Sequence, residues 1–299
     1  MEHRAFLQAM DGARKADLLR RETSPGLWHL AKHLGLILLS GLGIALLPGG
    51  WAVLAALALG VCLSFLFTLE HECTHRTPFA SDTLSDWVGR ACGLVLILPF
   101  EWFRWFHLAH HRWTNLEGQD PELAEEKPAT LVAWVWHVSG VPYWIASVRL
   151  MLRLVRGREF EDYIPQGARA RVVREARVMA VIYGLAVLSL IWSPVVFWFW
   201  LLPMVLGQPF LRLYLLAEHG DCPRVVNMFE NTRTTFTTGL VRLLAWNMPY
   251  HVEHHVMPQV PFHRLPELHE AMKAELQVTA EGYGAFTREY LARRAGAAG

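Results

Sequence analysis

The sequence predicts an all-α, polytopic membrane protein. It has four transmembrane helices paired as two hairpins, with interfacial helices and a cytoplasmic cap that carries a metal site. Three observations lead there. The 299 residues are 53% apolar with a mean hydropathy of +0.22, above the roughly 45–50% apolar usage of soluble domains. Two long stretches, 34–69 and 178–211, contain no Asp, Glu, Lys or Arg. Nine of the fifteen histidines stand in four clusters, each close to an uncharged stretch.

The elements follow in chain order. Six Lys/Arg fall in the first 33 residues with no early apolar core, so no cleavable signal peptide is expected. Stretch 34–69 is about twice the ~20 residues of one span. Pro48-Gly49-Gly50 punctuates it as a turn. The segment 91–100 is too short to cross. The uncharged segment 129–148 is long enough, but its Trp134, Trp136, Tyr143 and Trp144 suit an interfacial or re-entrant helix. If it crossed, the histidine clusters would be split between the two faces. Segment 149–177 carries eight arginines against Glu159, Glu161, Asp162 and Glu175. Stretch 178–211 is a second hairpin with its turn at Ser193-Pro194. Positive loops stay cytoplasmic, so both hairpins enter and leave on that side. Residues 71–128 and 217–299 then form the cap within a single domain spanning 1–299. A net charge of +1 gives no footprint for nucleic acid. The cysteines Cys62, Cys73, Cys92 and Cys222 form no Cys-x-x-Cys pair, which argues against a disulfide framework or thiolate site.

The clusters carry the chemistry. They are His71 and His75; His107, His110 and His111; the isolated His219; and His251, His254 and His255. Spacings of i, i+3 and i+4 put each set on one helix face. Neutral imidazole binds iron, copper, zinc and nickel. Nine rings exceed what one ion uses, so the pattern predicts two metals. His71-Glu72-Cys73-Thr74-His75 also matches HExxH, in which Glu72 would be the base of a membrane zinc metalloprotease. That alternative leaves seven histidines unused. All-imidazole ligation suits a site that is reduced before meeting dioxygen, acting on an apolar substrate at the membrane.

The order of the clusters, with Asn247-Met-Pro-Tyr-His251 and His111-Arg-Trp-Thr114…Asp120-Pro121-Glu122, resembles the integral-membrane fatty-acid desaturase and hydroxylase superfamily across roughly residues 34–270. The resemblance implies two irons (Fe2+/Fe3+) held by the nine histidines, with O2 as co-substrate. It implies desaturation of a fatty-acyl chain, or alternatively hydroxylation or ketolation of a lipid or carotenoid. It also implies a separate electron donor of ferredoxin, rubredoxin or cytochrome b5 type, since no cytochrome-like segment is seen. Where one branch of the superfamily has a metal-contacting asparagine, this chain has Leu215. The third cluster starts with His251, unlike the glutamine of front-end acyl desaturases.

Around the ligands, Asp120, Glu218, Glu253 and Asn247 are candidates to orient imidazoles, Asn247 equally as a helix cap. Arg233 is a candidate to fix a nearby loop. His29 and His33 read as interfacial, His137 as hydrogen-bonded in its helix, and His263 and His269 as surface residues. Small residues such as Ala56, Gly60 and Gly184 offer room for a substrate channel between the hairpins, or else close helix packing.

Overall fold

The computed structural model describes residues 2–296. Residues 297–299, the end of the expected cap, lie outside the described residues. Its elements are almost entirely α-helical. Two short helices, α1 (His3–Ala9) and α2 (Gly12–Leu18), precede α3 (Thr23–Leu46). The expected turn follows. Gly49 has φ 56° and ψ −130°, a combination open to glycine, and it reverses the chain into α4 (Gly50–Ser64). After a kink at Phe65 the same rod continues as α5 (Leu66–His75).

Helix α6 (Asp82–Leu96) starts at Ser81, whose hydroxyl accepts from the Leu84 amide at 3.2 Å. It ends at Ile97, held left-handed at φ 58° although it is β-branched. Pro99 then opens α7 (Phe100–Trp113), and the two axes meet at 101°. Segment 129–148 is also broken. Gly140, at φ 76°, separates α8 (Leu131–Val138) from α9 (Val141–Arg156) by a 56° bend. A long α10 (Gln166–Ser189) follows. The turn through Ser193-Pro194 leads through a π-helical stretch, Phe197–Leu201, into α11 (Leu202–His219).

The remainder is built from short pieces: α12 (Met228–Asn231), α13 (Gly239–Leu244), α14 (His251–Val256), α15 (Leu265–Met272) and α16 (Tyr283–Gly296). Two-residue strands β1 (Thr234–Thr235) and β2 (Thr279–Ala280) pair in parallel and tie the C-terminal segment back to the cap.

Among the described residues, three rods are long and apolar enough to cross a membrane: Gly12–Leu46, Gly50–His75 and Phe197–His219. The number rises to five if each bent pair counts as one crossing. Helix α10 is not among them. Arg169, Arg171, Arg174, Glu175 and Arg177 occupy its first half. Exposed Leu38, Leu39, Trp51, Val181, Leu185 and Trp192 make an apolar outer surface, as a lipid-facing protein requires.

The main seam joins α4 to α11. A Cβ added at Gly60 would lie 2.0 Å from the Pro203 carbonyl oxygen, and one at Gly207 would lie 2.0 Å from the Gly60 oxygen. These glycines are therefore packing residues, and the channel expected between the hairpins does not run past Gly60 or Ala56, itself 1% exposed. Gly184 faces open space. His33 is not interfacial. It is fully buried, its Nε2 pairing with the Cys62 carbonyl at 2.8 Å, while the Trp246 indole donates to its Nδ1 at 3.1 Å. That tie pins α3 to the loop before the last histidine cluster.

Candidate metal centre

Four elements deliver the nine histidines: α5, α7, the last residue of α11, and α14. The α4–α11 seam sets α5 beside the end of α11. The sharp bend at Ile97 returns α7 across α5. The last cluster arrives on the short α14. All nine rings come together, and all but the half-buried His75 are buried.

They divide into two groups. His71, His75, His107, His111 and His254 present nitrogens that all lie within 4.8 Å of one another, and so do His110, His219 and His255. His251 belongs beside the second group, its Nε2 being 3.1 Å from the Nε2 of both His219 and His255. Other cross-element separations are 2.9 Å for His75–His107, 3.1 Å for His111–His254 and 3.2 Å for His110–His219. With metal–nitrogen bonds of about 2.1 Å, two ligands at right angles stand about 3 Å apart. The spacings are thus those of neighbouring ligands on one ion. His71 makes the fit sharper: neither of its ring nitrogens has a hydrogen-bond partner, although it is buried. Such a group costs about 1–3 kcal/mol unless something binds it.

The rings of the last cluster favour the neutral form that a metal needs, whereas at His110 burial is outweighed by Glu122 and Asp120, which push that ring above the usual histidine value. Burial first, then neighbouring imidazoles, hold His254 and His255 well below the usual histidine range. Burial first, then His110 and Lys127, does the same for His251. Neutral rings keep a lone pair for metal.

The outer nitrogens are held by a second layer. Both Asp120 carboxylate oxygens accept from His110 Nδ1, at 2.9 and 3.0 Å, while the same carboxylate receives the Asn115 and Glu122 amides. Glu218 lies 3.4 Å from His251 Nδ1. Two partners were not expected from sequence. The Asn231 carbonyl sits 3.2 Å from His219 Nδ1, and the Thr114 hydroxyl 3.1 Å from His255 Nδ1. Asn231 is itself fastened by its amide to the Thr114 and Val225 carbonyls. Polar residues just beyond a histidine box were the only signal in the sequence.

Two expectations fail. Glu253 touches no clustered histidine. It binds the Thr234 hydroxyl and His269 Nδ1, each at 2.5 Å, because it lies on the far side of α14. His269 is consequently a buried-side partner and not a free surface residue. Asn247 neither orients a ligand nor caps α14. It is left-handed at φ 58°, and its amide donates to the Phe262 carbonyl at 3.0 Å. Besides Glu218, Glu72 approaches the last cluster, 3.7 Å from His254 Nδ1. It also accepts from the Thr77 hydroxyl and the Phe262 amide. Arg233 behaves as expected for a loop clamp, donating to the Ala217 and Gly220 carbonyls on either side of His219.

The family model described as Fatty acid desaturase matches residues 48–287. The chain belongs to the fatty acid desaturase family. Relatives agree across much of its length. An sn-1 oleoyl-lipid 12-desaturase of Picosynechococcus sp. is 26% identical over 236 residues, covering 72% of this chain and 67% of the relative. A sphingolipid delta(4)-desaturase/C4-monooxygenase of Mus musculus is 26% identical over 243 residues, covering 78% and 70%. A chloroplastic omega-6 fatty acid desaturase of Arabidopsis thaliana is 23% identical over 281 residues, covering 85% and 58%. This desaturase-family chain is a membrane oxidoreductase. The protease alternative falls with that finding and with the geometry, since His71 and His75 sit in a five-histidine group and not in a three-ligand site.

Proposed function

We propose that the protein introduces a double bond into a lipid acyl chain, using two irons and dioxygen. The observation that carries this reading is the pair of adjoining, buried, all-imidazole groups. His71, His75, His107, His111 and His254 would hold one iron, and His110, His219, His251 and His255 the other. When bound and reduced, the iron pair supplies the oxygen activation needed to remove hydrogen from an unactivated C–H bond. The chain's own part is positional. Asp120 and Glu218 fix the rings of His110 and His251, Glu72 stands behind His254, and Arg233 holds the turn that carries His219. Burial of the rings keeps bulk water from the centre.

The acyl-chain assignment is supported by what the similar proteins act on. A second outcome, hydroxylation at the same centre, is favoured by one of them being both desaturase and monooxygenase. Electrons would come from a separate ferredoxin, rubredoxin or cytochrome b5 type donor. We further propose one domain over 1–299, four spans in two hairpins, and the metal centre and both termini on the cytoplasmic side. The eight arginines of segment 149–177 support that orientation.

The test is mass spectrometry of lipids from a host expressing the chain under iron supplementation, with metal analysis of the purified protein. New unsaturation and two irons per chain are expected, both lost or sharply reduced in His219→Ala. One metal per chain, or full activity in His219→Ala, defeats the nine-ligand arrangement.

A further inference from the structure

Helix α11 carries more than His219. Residues seven and eleven positions earlier, Arg212 and Gln208, fall within about 20° of His219 around the axis. They make one polar line that runs down the span beneath the metal centre. The α4 seam uses a different face, through Pro203 and Gly207.

Arg212, Gln208 and Trp144 each have a buried polar atom without a hydrogen-bond partner, although Arg212 and Trp144 as whole residues are only half-buried. Gln208 is 0% exposed, and neither end of its carboxamide has a hydrogen-bond partner. Arg212 Nε is buried without one, and Arg212 makes no ion pair among the described residues. Its guanidinium rests 4.6 Å from the centre of the Tyr143 ring. The Trp144 indole N–H is also buried and unpaired. The break between α8 and α9 brings these groups together. A Cβ at Gly140 would lie 2.7 Å from Gln208 Cβ and 3.9 Å from Trp144 Nε1. Leaving such groups empty destabilises a folded protein. A charged side chain within a span marks a binding site more often than a packing site.

We propose that Arg212, Gln208 and Trp144 bind the carboxyl group of the acyl substrate, where α11 meets the α8–α9 break. This rests on the oxidising metal pair proposed above. Three of these four unfilled atoms are N–H donors and one of the three is cationic, so the fitting ligand presents mainly oxygen acceptors; the fourth, Gln208 Oε1, accepts. A single carboxylate satisfies the guanidinium, and an ester carbonyl satisfies the neutral donors. The line also measures distance. Seven residues of helix rise about 10 Å, a span covered by roughly eight or nine single bonds of an extended chain. Attack is therefore counted from the carboxyl end, eight or nine bonds away, and the substrate path lies beside α11, not between the hairpins.

The test uses the full chain in lipid nanodiscs and tritiated palmitic acid as probe. Bound probe is displaced with unlabelled palmitic acid, methyl palmitate or hexadecane. Both carboxyl compounds should displace it and hexadecane should not; the more effective of the two identifies acid or ester as the natural source. Arg212→Met should weaken palmitic acid binding about tenfold or more, and Gln208→Leu should weaken it less. Gln208→Leu should not lower the melting temperature of the unliganded protein, because it removes no made hydrogen bond, and Arg212→Met should lower it only slightly, by the loss of the Tyr143 ring contact. Membranes of the variants that still oxidise palmitic acid should scatter the position of attack. Equal binding in wild type and both variants, or displacement by hexadecane, overturns the site. A fall in melting temperature with unchanged binding assigns Arg212 a structural role and overturns it too. Binding does not need turnover, so a protein that binds palmitic acid and oxidises nothing refutes the proposed reaction and leaves the site standing.

Discussion

Replacing Gly60 by alanine tests the seam on which the metal centre depends. The new methyl group would lie 2.0 Å from the Pro203 oxygen, 2.8 Å from its carbonyl carbon and 2.9 Å from the Gly207 nitrogen. All three are backbone atoms, so no side chain can swing aside. Ordinary contact begins at 3.4 Å, so α11 must retreat by about 1.4 Å. Overpacking of this kind costs about 1–3 kcal/mol or more, against a gain of about 0.4–1 kcal/mol from the stiffer unfolded chain. The retreat reaches His219 directly, because that residue ends the same helix. A shift of about 1 Å in a catalytic group can cost about 100-fold in rate. Gly60→Ala should thus melt several degrees lower and hold less metal in the His110, His219, His251 and His255 group than in the other. Thermal melting of detergent-purified protein and iron content per chain read both effects. A melting temperature and metal content equal to wild type would refute the argument. Gly184→Ala, where nothing lies within 4 Å, serves as the control and should change neither.

Other outcomes follow from single contacts. Asp120→Asn keeps the shape but loses the charge that fixes His110, and should cost about 10–100-fold in metal affinity, measured by chelator competition. Glu72→Gln should retain part of the lipid oxidation and show no peptidase activity at any stage; a peptidase abolished by this change would restore the protease reading. Burial pushes the Asp221 carboxyl up, but hydrogen bonds and charge from Arg294 and Arg293 outweigh it and hold it below the usual range. A depressed folded value means that its contribution is present above about pH 4 and is lost as pH falls through that folded value. Wild-type stability should therefore drop at the acid end, and Asp221→Asn should remove that part of the drop in a melting-temperature profile against pH.

The histidines could be read from the chain because i, i+3, i+4 spacing fixes a shared face in whatever fold the helix enters. The first turn was equally legible, since Pro48-Gly49-Gly50 interrupts an unbroken apolar run. What surrounds the ligands was not. Glu72 meets His254 across 182 residues, and Asn231 reaches His219 through a backbone carbonyl, which any residue type offers. The Glu253 assignment failed because adjacency to His254 in sequence places it a third of a turn away on α14, toward His269. The reversal at Ile97 has no local signature, as a β-branched residue seldom takes a left-handed conformation; tertiary packing imposes it. Asn247 escaped for a related reason: its left-handed backbone belongs to a loop, where a helix start had been expected.

The division of the ligands between the two groups also has a history written into it. Four members of the first group, His71, His75, His107 and His111, occur within the first 111 residues, and α5 and α7 pack directly together. The other group has only His110 until residue 219 has been made, and gains His251 and His255 later still. Because chains are synthesised and begin to fold from the N-terminus, the two halves of the centre come into being at different times on the ribosome. One is a nearly finished nest while most of the protein is still untranslated. The other is complete only after the last cluster has been made, so a chain that stopped before residue 251 would lack His254 from the first group and both His251 and His255 from the second.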